Sequence, residues 1–287
     1  MTSSRHLVVI TGATRGLGKI AAERFWESGK NLVLIARHED ELKTVVSEFV
    51  STGKRGQKID YYAADLSDIL KIADLTTAIK ERSGDPDILI NNAAIQGPIG
   101  PIQTNDWLEW QNCINVCLLA PVRLCQEFLP SMIKNKYGRI VNISGGGATS
   151  PRPNFSSYAT AKCGLVRFSE TLAQEVISCG ITVNCIAPGA MNSELTKKIL
   201  LAGTEYAGNK EIEVARDLLS NNPRAEIKAA DIIYFLTSDK CTSITGKLIS
   251  AVWDPWDKLP DSAPELMNCD VYTLRRVLPK DRNMSIE

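Results

Sequence analysis

Seven short runs rich in β-branched residues, most of them followed by a longer stretch with helical periodicity, constrain this chain more tightly than any other feature of its sequence. The runs cover residues 6–11 (HLVVIT), 31–36 (NLVLIA), 59–64 (IDYYAA), 88–91 (ILIN), 139–144 (RIVNIS), 182–187 (TVNCIA) and 247–251 (KLISA). Several are apolar throughout instead of alternating, the pattern of strands covered on both faces. Helical stretches fall at 17–28, 40–51, 67–81, 104–136, 158–178 and 229–237. Repeated strand–helix alternation needs crossover connections, which are right-handed and build a parallel sheet. The prediction is an α/β fold with one doubly wound domain. Its sheet is seven-stranded and mostly parallel, with helices on both faces. No linker and no internal repeat divides it, so the domain is placed at residues 1–254. Two stretches break the rhythm. Residues 192–224 carry helical fragments at 197–201 and 211–220, in the position of a lid over a pocket, and 255–287 form a C-terminal tail extension.

Composition excludes several classes of function. Of 287 residues, 44% are hydrophobic and 23% charged, ordinary for a globular protein. Lys plus Arg equals Asp plus Glu, 33 each, so no basic field gathers nucleic acid. The N-terminus lacks a signal-peptide pattern and no apolar run reaches about 18 residues. That predicts no membrane association and a cytoplasmic address. Eight cysteines without a CxxC pair, and only two histidines, predict no metal site. Cys113 and Cys117 lie four apart and share a helix face, but the cysteines read as buried thiols of a reducing compartment.

The first strand runs into Thr11-Gly12-Ala13-Thr14-Arg15-Gly16-Leu17-Gly18 and then an amphipathic helix. Glycine allows a tight strand-to-helix turn and close approach of backbone to a pyrophosphate, while the helix N-terminus offers free N–H groups to an anion. A Rossmann-type dinucleotide fold follows from that position, although the GxxxGxG spacing differs from the commoner GxGxxG. Downstream stand Asn91-Asn92-Ala93-Ala94, Tyr158 and Lys162 four apart, and Pro188-Gly189 after a strand. Together these four motifs resemble the short-chain dehydrogenase/reductase family, over roughly residues 5–252.

An acidic side chain at the end of the second strand prefers the ribose hydroxyls of NAD, whereas arginine favours the 2′-phosphate of NADP. Here the strand ends Ile35-Ala36-Arg37, and Arg15 is a second cation near the same corner. A guanidinium can hold a phosphate bidentately, so NADP(H) is expected, with NAD(H) left possible. The resemblance implies that Gly12, Thr14, Arg15, Gly16, Leu17 and Gly18 bind the cofactor. It adds Arg37, with Asp65 and Leu66 at the adenine, Asn92 and Ala93, Pro188 and Gly189, and Ser193 at the nicotinamide carboxamide.

A phenol is a poor base near neutrality, with a reference pKa of about 10. A lysine one helical turn away stabilises phenolate and lowers that value. Tyr158 and Lys162 therefore read as a general acid for carbonyl reduction, or a base for alcohol oxidation. The resemblance adds that Lys162 holds the nicotinamide ribose and that Asn115 holds a water behind it. At the substrate-orienting serine the chain departs from the family, because Gly145 stands where most relatives carry serine and Ser144 is one residue away. Ser144 is the favoured replacement. A backbone N–H, Thr149 or Ser150 in that role, or lost activity, stay open.

The substrate pocket belongs at the carboxyl ends of the strands. Gln96, Arg152, Asn154, Phe155, Met191 and the lid are its expected lining. Arg152 reads either as a partner for a substrate carboxylate or phosphate or as a solvated loop charge. Polar lining suits a polyhydroxylated compound such as a sugar derivative. The expected partner is a small-molecule carbonyl or alcohol. The helices at 104–136 and 158–178 are more apolar than one sheet face needs, and the resemblance implies a homodimer or homotetramer built on them. The tail, with Trp253, Trp256, Tyr272 and Leu274, folds over a pocket mouth or a neighbouring subunit, or simply packs. Two rival readings are a nucleotide-binding regulator that has lost turnover and a nucleotide-sugar epimerase or dehydratase.

Overall fold

Apolar runs buried on both faces form the centre of the molecule, a computed structural model that describes residues 6–54, 56–221 and 225–284. The strands are β1 (Leu7–Thr11), β2 (Asn31–Ala36), β3 (Ile59–Ala63), β4 (Ile88–Asn91), β5 (Gly138–Ile143), β6 (Ile181–Ala187) and β7 (Leu248–Ser250). They form one sheet in the order β3-β2-β1-β4-β5-β6-β7, and every neighbouring pair is parallel. The expected sheet is present, and it is wholly parallel instead of mostly so. Because side chains alternate along a strand, β1 serves two cores at once. Val8 and Ile10 enter the core beneath α1 (Gly16–Glu27), α2 (Glu39–Val50) and α9 (Ala225–Leu236), while Leu7 and Val9 enter the core beneath α3 (Ile72–Ser83), α5 (Ala120–Asn135) and α6 (Ser156–Val176).

The sequence predicts one helix over 104–136. The structure divides it into α4 (Trp107–Ile114), a π-helical turn at Asn115–Leu119, and α5. Pro121 explains the break: it has no N–H for the carbonyl four residues earlier, and a widened turn absorbs the missing bond. By length and composition the whole helix from Trp107 to Asn135 is apolar enough to cross a membrane, more than the sequence reading allowed. Its apolar side is occupied, however. Cys113, Cys117, Leu124, Cys125, Phe128 and Met132 are buried in the protein's own core.

Between β6 and α9 the helical fragments expected of the lid extend into α7 (Glu194–Ala207), kinked at Gly203, and α8 (Asn209–Asn221). The far end of that predicted lid, 222–224, lies outside the described residues, as do the first five and last three positions of the chain. Phe155 is fully buried between these helices with Ile199, Ala207, Ile212 and Ala215, a small separate core that seats them.

The tail packs on its own molecule. Trp256 packs on Phe235 with ring centres 5.4 Å apart and planes tilted by 54°, and Leu259 and Ala263 of the turn before and start of α10 (Ala263–Met267) join the α1/α9 core. Further on, Leu248 of β7 donates to Tyr272 O at 2.8 Å, and Lys247 Nζ donates to the carbonyls of Cys269 and Val271. Leu274 N donates to Glu170 Oε1 at 2.6 Å, and Arg167 also donates to Leu274 O. These bonds lay the tail along the sheet edge at β7. Trp253 alone of its named aromatics stays outside, 85% exposed.

All eight cysteines are free, and five are buried. Burial holds the Cys125 and Cys185 thiols up at about 12 and Cys241 at about 11, far from the reactive thiolate. A thiol reagent on the native protein is therefore expected to label Cys163 and Cys269 rapidly and Cys179 more slowly. Cys113, Cys117, Cys125, Cys185 and Cys241 should react only after denaturation, as peptide mapping would read.

Candidate functional site

The strand order reverses between β1 and β4, and a cleft of about 970 Å³ opens at their carboxyl ends. Hydrogen bonds hold the two sides of that crevice together. Thr11 Oγ1 accepts from the backbone N–H groups of Asn92 and Ala93, both at 3.0 Å, and Asn92 Nδ2 donates to Thr11 O at 2.9 Å and Gly12 O at 3.1 Å. Gly12 turns the chain with φ +66°. A Cβ on Gly18 would overlap Gly12 O and sit 2.5 Å from Asn92 Nδ2, so this glycine is required by packing and does not line the cleft. Gly16 is the opposite case, with nothing within 4 Å of its missing Cβ.

Thr14, Arg15, Gly16 and Leu17 line the outer end of the cleft together with Arg37. Neither guanidinium makes a hydrogen bond or ion pair to the described residues. No side chain caps α1 either, which leaves its first N–H groups free. Glu41, unremarked in the sequence, also lines this corner and accepts a 2.8 Å bond from Thr14 Oγ1. An acidic residue in the first turn of α2, one turn beyond Arg37, was the available signal. Asp65 and Leu66 line the cleft beside it, and Asp65 Oδ1 accepts from Ser67 N at 2.9 Å. Asn92, Ala93, Pro188, Gly189 and Ser193 line its middle. Ser193 is also the N-cap of α7, its Oγ accepting from Thr196 N.

At the inner end α6 presents Tyr158 and, one turn on, Lys162, both buried and both facing the cleft. Lys162 Nζ lies 5.5 Å from the centre of the Tyr158 ring and donates to Ile143 O, at the end of β5, at 2.7 Å. A second set of buried bonds fixes the same helix: Asn91 Nδ2 donates to Asn142 Oδ1, and Asn142 Nδ2 to Ser169 Oγ, at 2.8 and 2.7 Å. Burial is the main influence on the phenol and pushes its pKa above the ordinary tyrosine range. The Cys117 and Cys113 thiols add to the rise, and the Arg152 guanidinium opposes it. The lowering expected from Lys162 is thus not what governs the phenol here, since the ammonium is turned to a carbonyl and desolvation outweighs it.

Asn115 sits in the π-helical turn outside the cleft lining, its Nδ2 donating to Ser67 O at 3.1 Å. Ser144 lines the cleft, and its buried Oγ has no hydrogen-bond partner among the described residues. Thr149 and Ser150 line it from exposed positions. Of the expected substrate-side residues, Gln96, Arg152 and Met191 reach the cleft, while Asn154 and Phe155 do not. Phe155 seats the lid, and Asn154, at φ +68°, offers its carbonyl to Gly100 N. Arg152 is not a solvated charge. Its guanidinium stacks 3.9 Å from the Phe155 ring centre and forms a two-pronged bond to Glu211 of α8, at 3.1 and 2.6 Å. Leu195 and Ile199 of α7, with Lys210 and Glu211 of α8, line the cleft on the side facing those helices, and none of the described tail residues lines it.

The family model described as short chain dehydrogenase matches residues 6–202. This chain belongs to the short-chain dehydrogenase family. The D-beta-hydroxybutyrate dehydrogenase of Rhizobium meliloti is 31% identical over 248 residues, which are 84% of this chain and 95% of that one. The 3-oxoacyl-[acyl-carrier-protein] reductase FabG of Haemophilus influenzae is 32% identical over 244 residues, 84% of this chain and 93% of the relative. Among solved structures, a metagenomic short-chain oxidoreductase in complex with NADP superposes with a TM-score of 0.69 at 28% identity, covering 87% of this chain and 98% of that one.

Within this short-chain dehydrogenase, Gly145 is sterically committed. A Cβ there would overlap the Tyr158 hydroxyl and lie 2.9 Å from ring carbon Cε1. The phenol occupies the space a side chain at 145 would need. Gly145→Ala is therefore expected to destabilise the fold by about 1–3 kcal/mol, the usual range for overpacking. A Tyr158→Phe background should return part of that loss, because it removes the overlapped oxygen. Denaturant unfolding of the two single variants and the double variant measures the coupling.

Proposed function

We propose that this oxidoreductase transfers a hydride between NADP(H) and a small-molecule carbonyl or alcohol, with Tyr158 as the general acid and base. One observation carries the reading: a single cleft is lined at one end by the glycine loop and at the other by Tyr158 and Lys162. The fit of a dinucleotide phosphate rests on the outer end, where Gly16 is open, the first N–H groups of α1 are uncapped, and the Arg15 and Arg37 guanidiniums make no hydrogen bond or ion pair to the described residues. Two guanidiniums at this corner and no acidic residue at the end of β2 favour the 2′-phosphorylated form, the form carried by the metagenomic relative. NAD(H) would lack the group those arginines are suited to. Gly12, Leu17, Asp65, Leu66, Asn92, Ala93, Pro188, Gly189 and Ser193 complete the proposed cofactor surface.

When bound, the cofactor supplies or accepts the hydride; the chain's own residues manage the proton. Burial keeps the Tyr158 phenol protonated at neutral pH, so its hydroxyl is a hydrogen-bond donor to a carbonyl oxygen in the cleft and gives up its proton as that oxygen gains charge. Lys162, held on Ile143 O, provides a fixed positive charge beside the phenolate that results. Asn115, bonded to Ser67 O, supports the helix turn behind them. Ser144 Oγ, buried, facing the cleft and unpartnered, is suited to orient the same carbonyl. Exposed apolar side chains on the α4–α5 helix, among them Trp107 at 65% and Leu108 at 69%, support pairing of copies through that face as a homodimer or homotetramer.

An NADPH-oxidation screen across ketones, ketosugars and keto acids tests the reaction. Turnover is expected to fall about 1000-fold in Tyr158→Phe, within the usual range of general-acid contributions, and about 10-fold in Ser144→Ala, the size of one hydrogen bond. Turnover that persists in Tyr158→Phe would remove the phenol from the chemistry. Replacing Arg15 and Arg37 together by alanine should raise KM for NADPH by more than about 10-fold while changing that for NADH by less than about 2-fold. Equal changes would reject the phosphate assignment.

A further inference from the structure

Behind the cleft the tail reaches the loop that carries Ser144. That loop continues Gly145-Gly146-Gly147-Ala148, and glycine loses more conformational freedom on ordering than any other residue. The shape of the loop must therefore come from contacts. Gly145 lies against the Tyr158 ring, and Gly147, at φ +92°, lies where a Cβ would be 2.6 Å from Ala159 Cβ. The first side chain after the glycines is that of Ala148, which is 5% exposed and whose N–H donates to Gly145 O at 3.3 Å. Ala148 forms a small core with Val166 of α6 and Cys185 of β6. Two partly buried side chains pack against that core, Leu248 of β7 and Leu274 of the tail.

Leu274 is held there by its main chain. Its N–H donates to Glu170 Oε1 at 2.6 Å, its carbonyl accepts from Arg167, and Arg167 and Glu170 pair at 2.7 Å. Both partners belong to α6, the helix of Tyr158 and Lys162, so the element that carries the proposed acid grips the tail at this residue. Upstream, Lys247 Nζ donates to the carbonyls of Cys269 and Val271 at 3.0 Å each. Downstream, Arg275 pairs with Asp270 and Asp281, both at 2.7 Å, which closes the segment on itself. Glu170 and Lys247 are 8% and 4% exposed, and burying such groups is costly unless donors and acceptors meet them. Their use on tail backbone fixes where the tail docks, although the tail lies beyond the stretch 5–252 that resembles the family.

Resting on the proposal that a carbonyl reacts at Tyr158, we infer that Leu274 is a positioning residue for the active-site loop. By sealing the Ala148 core it fixes the backbone of 145–147, and with it the placement of Ser144 relative to the Tyr158 hydroxyl. Leu274 touches neither cofactor nor substrate and exchanges no proton.

Hydrogen exchange on the protein by itself reads the loop without any ligand. In Leu274→Ala the backbone amides of 145–149 are expected to exchange at least about 10-fold faster, while those of 12–18 and of β1 and β4 keep their wild-type rates. Leu274→Met, similar in volume, should stay within about 2-fold of wild type. Arg167→Met removes the bond to Leu274 O at an exposed position, so the test does not depend on the larger change folding; it should speed the same amides at least about 3-fold. NADPH oxidation with ethyl acetoacetate as the probe reads the consequence. In Leu274→Ala kcat should fall about 10- to 100-fold, because a small misplacement caused far from the reacting atoms costs that much, while KM for NADPH changes less than about 2-fold. Faster exchange spread equally over the sheet and the glycine turn would overturn the inference. Unchanged exchange at 145–149 in both Leu274→Ala and Arg167→Met, or parallel changes in kcat and KM for NADPH, would do the same. A wild-type protein that reduces neither ethyl acetoacetate nor any other carbonyl of the screen would instead sink the proposed reaction, and the exchange pattern by itself then decides whether Leu274 holds the loop.

Discussion

A buried ammonium bound to one carbonyl organises the site. Lys162 is 1% exposed, and the carbonyl of Ile143 is its hydrogen-bond acceptor. That carbonyl is the last of β5, a group the sheet ladder no longer uses because the strand ends there. Taking a charge out of water is costly unless it finds such a partner, so the bond couples the position of α6 to the end of the sheet. The buried Asn91–Asn142–Ser169 chain repeats the coupling two turns further along the helix. Once α6 is held at both places, Tyr158 has one location, and the phenol is delivered to the cleft by the sheet and not by a loop.

The same burial sets the chemistry. Desolvation disfavours phenolate and keeps the proton on Tyr158 in the protein by itself. Ser144 Oγ and Gln96 Nε2, on residues that also line the cleft, are buried without a hydrogen-bond partner among the described residues. Opposite them the glycine loop is closed onto β4 by Thr11 and Asn92, which removes slack between the two halves of the crevice. Cofactor surface and proposed acid therefore share one rigid frame. The helices α7 and α8 are less tied to it: they rest on Phe155 and on the Arg152–Glu211 pair, a small contact compared with the two sheet cores.

How much of this was legible differs from residue to residue. The strands could be read because residues covered on both faces must be apolar, and their ends came out within a residue or so: 139–144 against Gly138–Ile143, 182–187 against Ile181–Ala187. The long helix was read without its interruption, although Pro121 carried the signal for it. Gly18 was read as touching a ligand, whereas its small size serves the approach of α1 to Gly12 and Asn92. Asn154 and Phe155, expected from the sequence in the pocket lining, do not line it. The tail's aromatics gave no indication of direction: Trp256 packs on Phe235 of α9, the Tyr272 carbonyl bonds β7 at the sheet edge, and Trp253 stays exposed.

From the sequence alone came the order of strands and helices, the glycine turn after β1, the tyrosine and lysine one turn apart, and the missing side chain at 145. Each is encoded locally, by periodicity, by backbone freedom or by spacing along a helix. Tertiary structure decided what those groups meet. It gave Lys162 a carbonyl at the end of β5, gave Arg152 a carboxylate 59 residues away, and left Gln96 Nε2 without a partner among the described residues. Partners of that kind are brought together only by packing, because nothing in the intervening chain specifies the distance between them.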